Sequence, residues 1–102
     1  PVLRNLNHYN PGVCAPMQGP DSDLVNWDRT ADLNRISVPT LTIGATYDTM
    51  DPKHVAWMAE QVRHGRHLHC PNGSHLALYD DAEVYFEGLV RFVKDVDAGA
   101  FP

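Results

Sequence analysis

The chain has little that would join it to nucleic acid, a membrane or a metal. Eight lysines and arginines stand against 13 aspartates and glutamates, for a formal net charge of -5, so there is no basic surface to meet phosphates. Cysteine is scarce. Cys14 and Cys70 lie far apart without a Cys-x-x-Cys, which gives neither a disulfide framework nor a metal pair. No apolar run approaches the ~18 residues that a membrane-spanning helix needs. An initiator methionine and a signal-type apolar segment are both missing, so a cytoplasmic setting is expected and residue 1 is not expected to be a natural start. Serine occurs only as Ser22, Ser37 and Ser74, and Gly-x-Ser-x-Gly does not occur. A serine on a strand-to-helix elbow is therefore absent from these residues.

What is present reads as one small domain. The 102 residues are 43% hydrophobic and 21% charged, a globular composition in a chain below the usual size of an α/β enzyme. The stretch from Leu41 to Pro52 organises the rest. Leu41 and Ile43 alternate with Thr40 and Thr42, as a strand does. Gly44 ends the larger side chains, and Asp51-Pro52 reads as an N-cap followed by the first helical residue. Val55, Met58, Ala59 and Val62 form one apolar stripe, which predicts a helix from about Pro52 to His64 with Gly65 as its C′ residue. Arg66 to Cys70 reads as a short strand, stopped by Pro71-Asn72-Gly73. A last helix is expected from about Asp80 to Asp97. Ala82, Tyr85, Phe86, Leu89, Val90, Phe92, Val93 and Val96 make a wide apolar face on it, Glu87 and Arg91 an outer i,i+4 pair, and Gly99 its stop.

Upstream, Leu33 and Ile36 suggest one or two helical turns. Residues 1–26 hold Pro11, Gly12, Pro16, Gly19 and Pro20 and no clean period; such a segment is a loop, a linker or the tail of a lid. The order strand-helix-strand-helix predicts an α/β layer with parallel strands. Two strands cannot cover two amphipathic helices, and each would keep an open edge. The chain is therefore expected to be the C-terminal piece of a larger α/β protein, or to pair with another chain.

Asp48 falls where the first strand hands over to a helix, and His75 falls in the loop after the second strand. Catalytic groups collect beyond the carboxyl ends of strands in open α/β sheets. An acid and a histidine from successive strand ends are two parts of a Ser-His-acid triad. Singly, Asp48 reads equally well as a turn residue, and His75 is more often an ordinary surface histidine; together they favour the catalytic reading. Asp51 reads as a helix cap. Ser74, beside the histidine, cannot easily reach that ring. His64, His67, His69 and Cys70 match no standard metal-ligand spacing and read as surface histidines beside a strand cysteine. Trp57 and Met58 read as packing residues.

Several phrases together resemble the C-terminal third of the proline iminopeptidases, within the α/β-hydrolase fold. They are Met17-Gln-Gly-Pro20, Trp27-Asp28-Arg29-Thr30, Val38-Pro39-Thr40-Leu41, Gly44 to Pro52, and Cys70-Pro-Asn-Gly-Ser-His75. The resemblance implies that Asp48 is the triad acid and His75 the general base. It implies that residues 1–26 are the tail of a helical cap and 27–102 the C-terminal part of the hydrolase core. The nucleophilic serine would lie upstream. The implied substrate is a peptide with a free N-terminal proline, and no cofactor is implied. Acidic side chains bind the substrate's amino group in that family. Ser22 stands where its pattern has glutamate, and Thr49 follows the acid where some relatives have a further acid. Asp21 or Asp23 would then hold the amine, unless both are solvated turn carboxylates. The competing functions are another α/β hydrolase, acting on esters or carbon-carbon bonds, and an inactive fragment that serves as an interaction module.

Overall fold

The computed structural model describes residues 26–100. The expected domain boundary near residue 26 and the proposed cap tail lie almost wholly outside the described residues, as do Asp21 and Asp23. Within them, a 3₁₀ helix (Thr30–Arg35) leads to strand β1 (Thr40–Ala45), helix α1 (Pro52–Gln61), strand β2 (Gly65–Cys70), a short helix α2 (Ala77–Asp80) and helix α3 (Ala82–Asp97).

β1 and β2 pair in parallel, from Thr40 opposite Gly65 to Ala45 opposite Cys70. Alternation sends Ile43, Ala45, Leu68 and Cys70 to one face and Thr42, Gly44, His67 and His69 to the other. The first face meets α3: Ala45, Cys70 and Ala77 form the buried cluster, with Ile43, Leu68, Val84 and Tyr85 packed against it. The second face meets α1. A Cβ on Gly44 would stand 3.2 Å from the His67 ring and 3.4 Å from Val55, so the missing side chain lets helix and strand approach. β1 thus continues past Gly44 to Ala45, longer than the alternation of large residues indicates.

α1 begins as its sequence predicts. The Asp51 carboxylate accepts the Lys53 N–H at 2.9 Å, and Pro52 occupies the first turn. Its end differs from the expectation. The helix stops at Gln61, with Val62 already extended at φ -78 and ψ 136. Gly65 is no C′ residue but the start of β2, where a Cβ would fall 2.0 Å from the Ala59 carbonyl oxygen. The strand comes so close to the helix end that only glycine fits, and residues 62–64 form the link. Val62 stays buried, so the apolar stripe survives although its last member has left the helix.

The final helix α3 keeps close to its expected span, and what the sequence did not predict is the short helix α2 ahead of it, separated from α3 at Asp81 (φ -136, ψ 45). α3 ends in a Schellman turn. Gly99 has φ +69, its N–H donates to the Val96 carbonyl, and the Ala100 N–H donates to that of Asp95. α3 presses on β2 at Gly88, whose added Cβ would meet Leu68 at 2.5 Å. Arg66 of β2 pairs with Asp95 at 2.7 Å and lies 5.7 Å over the Phe92 ring. The expected Glu87–Arg91 ion pair is not formed; both line an open groove.

Candidate active site

The loop after β1 is held at both ends. The Thr46 N–H donates to the Cys70 carbonyl at 3.3 Å, and the Tyr47 N–H donates to that of Gly73 at 2.9 Å. These bonds carry the strand register beyond the strand ends and tie the Asp48 loop to the His75 loop. Gly73 is buried, and a Cβ there would sit 2.8 Å from Ala77. The second loop can therefore fold over α2 only with glycine at that position.

Here Asp48 and His75 meet. The ring Nδ1 of His75 lies 3.2 Å from Asp48 Oδ1. The same oxygen accepts the Met50 N–H at 3.1 Å and the Thr49 hydroxyl at 3.4 Å. Three donors on one oxygen suit a carboxylate, which only accepts. With Nδ1 donating its proton to Asp48, Nε2 is left as a free lone pair, the form a general base needs. The Asp48 side chain is only 11% exposed while that of His75 is 49% exposed. The acid is sheltered and the imidazole is open to a reacting partner.

Ser74 does not serve that partner. Its hydroxyl and amide both bind Asp80, and among the described residues no hydroxyl or thiol is hydrogen-bonded to the His75 ring. Cys70 is buried, and burial, then the charges of Asp81 and Asp80, push its thiol pKa up. That makes it a poor nucleophile.

The other histidines have local roles. The Thr42 hydroxyl donates to the Val55 carbonyl at 3.1 Å and so accepts from His67 Nδ1 at 2.9 Å. Burial, then repulsion from His69, holds the His67 pKa below its usual value. His69 Nε2 lies 3.1 Å from the Thr46 hydroxyl, and His54 stacks on Trp57 with 5.3 Å between centroids. Among the described residues no three His, Cys, Asp or Glu side chains stand close enough to share a metal ion. No described helix is long and apolar enough to cross a membrane.

Sequence reasoning missed the groups that hold the histidine loop. The Asp80 carboxylate accepts from the Ser74 N–H and hydroxyl, and Asp81 accepts the Asn72 N–H at 3.1 Å. The available signal is two adjacent aspartates five and six positions after the histidine, at the expected helix start.

A proline iminopeptidase from Elizabethkingia meningoseptica is 48% identical over 105 residues, covering 96% of this chain and 35% of its own length. Those of Chitinophaga pinensis and Flavobacterium johnsoniae are each 44% identical, covering 95% and 92% of this chain and 34% and 33% of their own lengths. No family model and no solved structure matched. The class these relatives define is a family of hydrolases that are peptidases. By sequence the chain is a relative of the proline iminopeptidases, matching a portion consistent with their C-terminal part. It spans about a third of the length of the curated relatives it matches.

Proposed function

We propose that these residues are the acid-and-base portion of a serine aminopeptidase of the α/β-hydrolase fold that releases N-terminal proline from peptides. The observation that carries the reading is the 3.2 Å contact between Asp48 and His75 on successive strand ends. The names of the relatives support the substrate.

In this reading Asp48 fixes the His75 tautomer and stabilises the imidazolium as it forms. His75 Nε2 takes the proton from a serine hydroxyl as its oxygen bonds to the proline carbonyl carbon. The same proton passes to the leaving amine as the amide bond breaks. Water, deprotonated by the same nitrogen, then bonds to the acyl carbon, and as the ester bond breaks the proton returns to the serine oxygen and proline is freed. The serine and the oxyanion donors come from polypeptide beyond these 102 residues. Asp21 or Asp23 attracts the substrate's ammonium group, and residues 1–26 belong to a cap above the site. A cytoplasmic setting is part of the same reading.

The partner for the open surfaces is the remaining hydrolase polypeptide. Phe86, Val90 and Val93, at i, i+4 and i+7 on α3, are 46%, 48% and 48% exposed, and each of the two strands has one unpaired edge among the described residues. An exposed apolar helix stripe and open parallel strands suit a continuing sheet, since purely parallel sheets are covered on both faces.

The test is a panel of chromogenic substrates offered to a longer chain that carries these residues and the upstream serine. Free-amine proline amides should be cleaved, while N-blocked prolines and simple esters should not. Preferential cleavage of esters or blocked substrates would move the chain to another α/β hydrolase class.

A further inference from the structure

We propose that Asp80 is a positioning residue for His75, acting through Ser74. Its functional meaning rests on the reading of His75 as general base. Its structural content, the tautomer and aim of one imidazole, can be measured without turnover.

The His75 ring is half-exposed, so packing does not hold it. A contact to Asp48 at 3.2 Å is longer than the usual charge-assisted bond. Asp48 can hold the ring in one tautomer only if the loop backbone presents Nδ1 to it, and the residues on both sides of His75 connect to one carboxylate. Asp80 Oδ1 accepts the Ser74 N–H at 3.1 Å, and Oδ2 accepts the Ser74 hydroxyl at 2.5 Å. The Ser74 oxygen in turn accepts the Leu76 N–H at 3.1 Å. The amides on either side of His75 are thus fixed by a single chain of three hydrogen bonds. The bonds from Ser74, hydroxyl first and amide second, hold the Asp80 carboxyl below its usual pKa, as expected for an acceptor that stays charged. Asp81 secures the start of the loop through the Asn72 N–H. The network lies within residues 72–81, so it should act in the 102-residue chain by itself.

The experiment is nitrogen-detected NMR of the imidazole rings in that chain at neutral pH. In the wild-type protein His75 should be fixed with Nδ1 protonated and Nε2 free. Asp80→Ala and Ser74→Ala should each move both His75 nitrogens toward the averaged shifts of a ring exchanging tautomers. Asp80→Asn keeps an oxygen for the Ser74 N–H and should restore most of the wild-type signature. His67, held by Thr42 on the other sheet face, is the internal control and should not move. Unchanged His75 shifts in both alanine variants would overturn the proposal. So would joint loss of the His67 and His75 signatures, which would make Asp80 a general structural residue, or an averaging His75 in the wild-type chain. Failure of a longer chain to cleave any substrate would end the hydrolase reading and leave the tautomer result standing.

Discussion

Gly65 stands where β2 begins against the end of α1, and a Cβ there would fall 2.0 Å from the Ala59 carbonyl oxygen. Glycine after an amphipathic stripe usually closes a helix with a positive φ. Here the positive φ belongs to Gly99 instead, and Gly65 is needed because β2 starts against the Ala59 carbonyl. Sequence signals the need for glycine but not which clash imposes it. Gly65→Ala should therefore destabilise the chain by about 1–3 kcal/mol, as overpacking does, with a lower urea midpoint at unchanged slope. A midpoint equal to the wild type would refute the close approach. The catalytic candidates were more legible. Asp48 and His75 carry chemistry and follow strand-like runs, and topology alone predicts that strand ends converge. Ser74 and Asp80 were not legible as a pair, because their bond depends on how α2 folds back over the loop.

At the element scale, helix starts were readable and so was the end of α3 at Asp97 before Gly99, whereas α1 stops at Gln61 short of its expected end. Asp51-Pro52 declares the beginning of α1 through local chemistry. The break at Asp81 depends on a carboxylate that turns away to hold the Asn72 N–H, a contact that no helical period reveals. The pairing of β1 with β2 carries a pH signature. Burial keeps the folded-state pKa of His67 below the ordinary imidazole value of about 6.5. Between those two values the unfolded chain binds more protons, so stability rises with pH across that window. It should be fully retained above about pH 6.5 and fall as acid takes the pH down toward the folded value. The lowered carboxyls of Asp28 and Asp80 act in a separate, more acidic window, because their stabilisation is lost only as pH falls through their folded values. Urea melts at a series of pH values should show the first slope in the wild-type chain and a flatter one in His67→Gln. Identical slopes would show that His67 is not its source.

At the scale of the whole molecule, the sequence anticipated an α/β layer too narrow for its helices. α3 has no buried residue, although its sequence carries a wide apolar face. Tyr85, Leu89, Phe92 and Val96 are half-buried, while Phe86, Val90 and Val93 face outward. An isolated chain with this stripe bare should bind a hydrophobic dye and associate with rising concentration. The double variant Phe86→Lys, Val90→Lys should reduce both effects while keeping the far-UV spectrum. A wild-type chain that stays monomeric and dye-free at high concentration would mean the stripe needs no cover.

The proposed role of His75 is proton carrier to an alcohol that lies elsewhere in the polypeptide. The most direct measurement is kcat/KM for proline release by a longer chain containing these residues and its upstream serine, before and after His75→Ala. The variant should lose at least about 1,000-fold, and the 102-residue chain alone should release no proline. Undiminished turnover in the variant, or turnover by the short chain that depends on His75, would contradict that role.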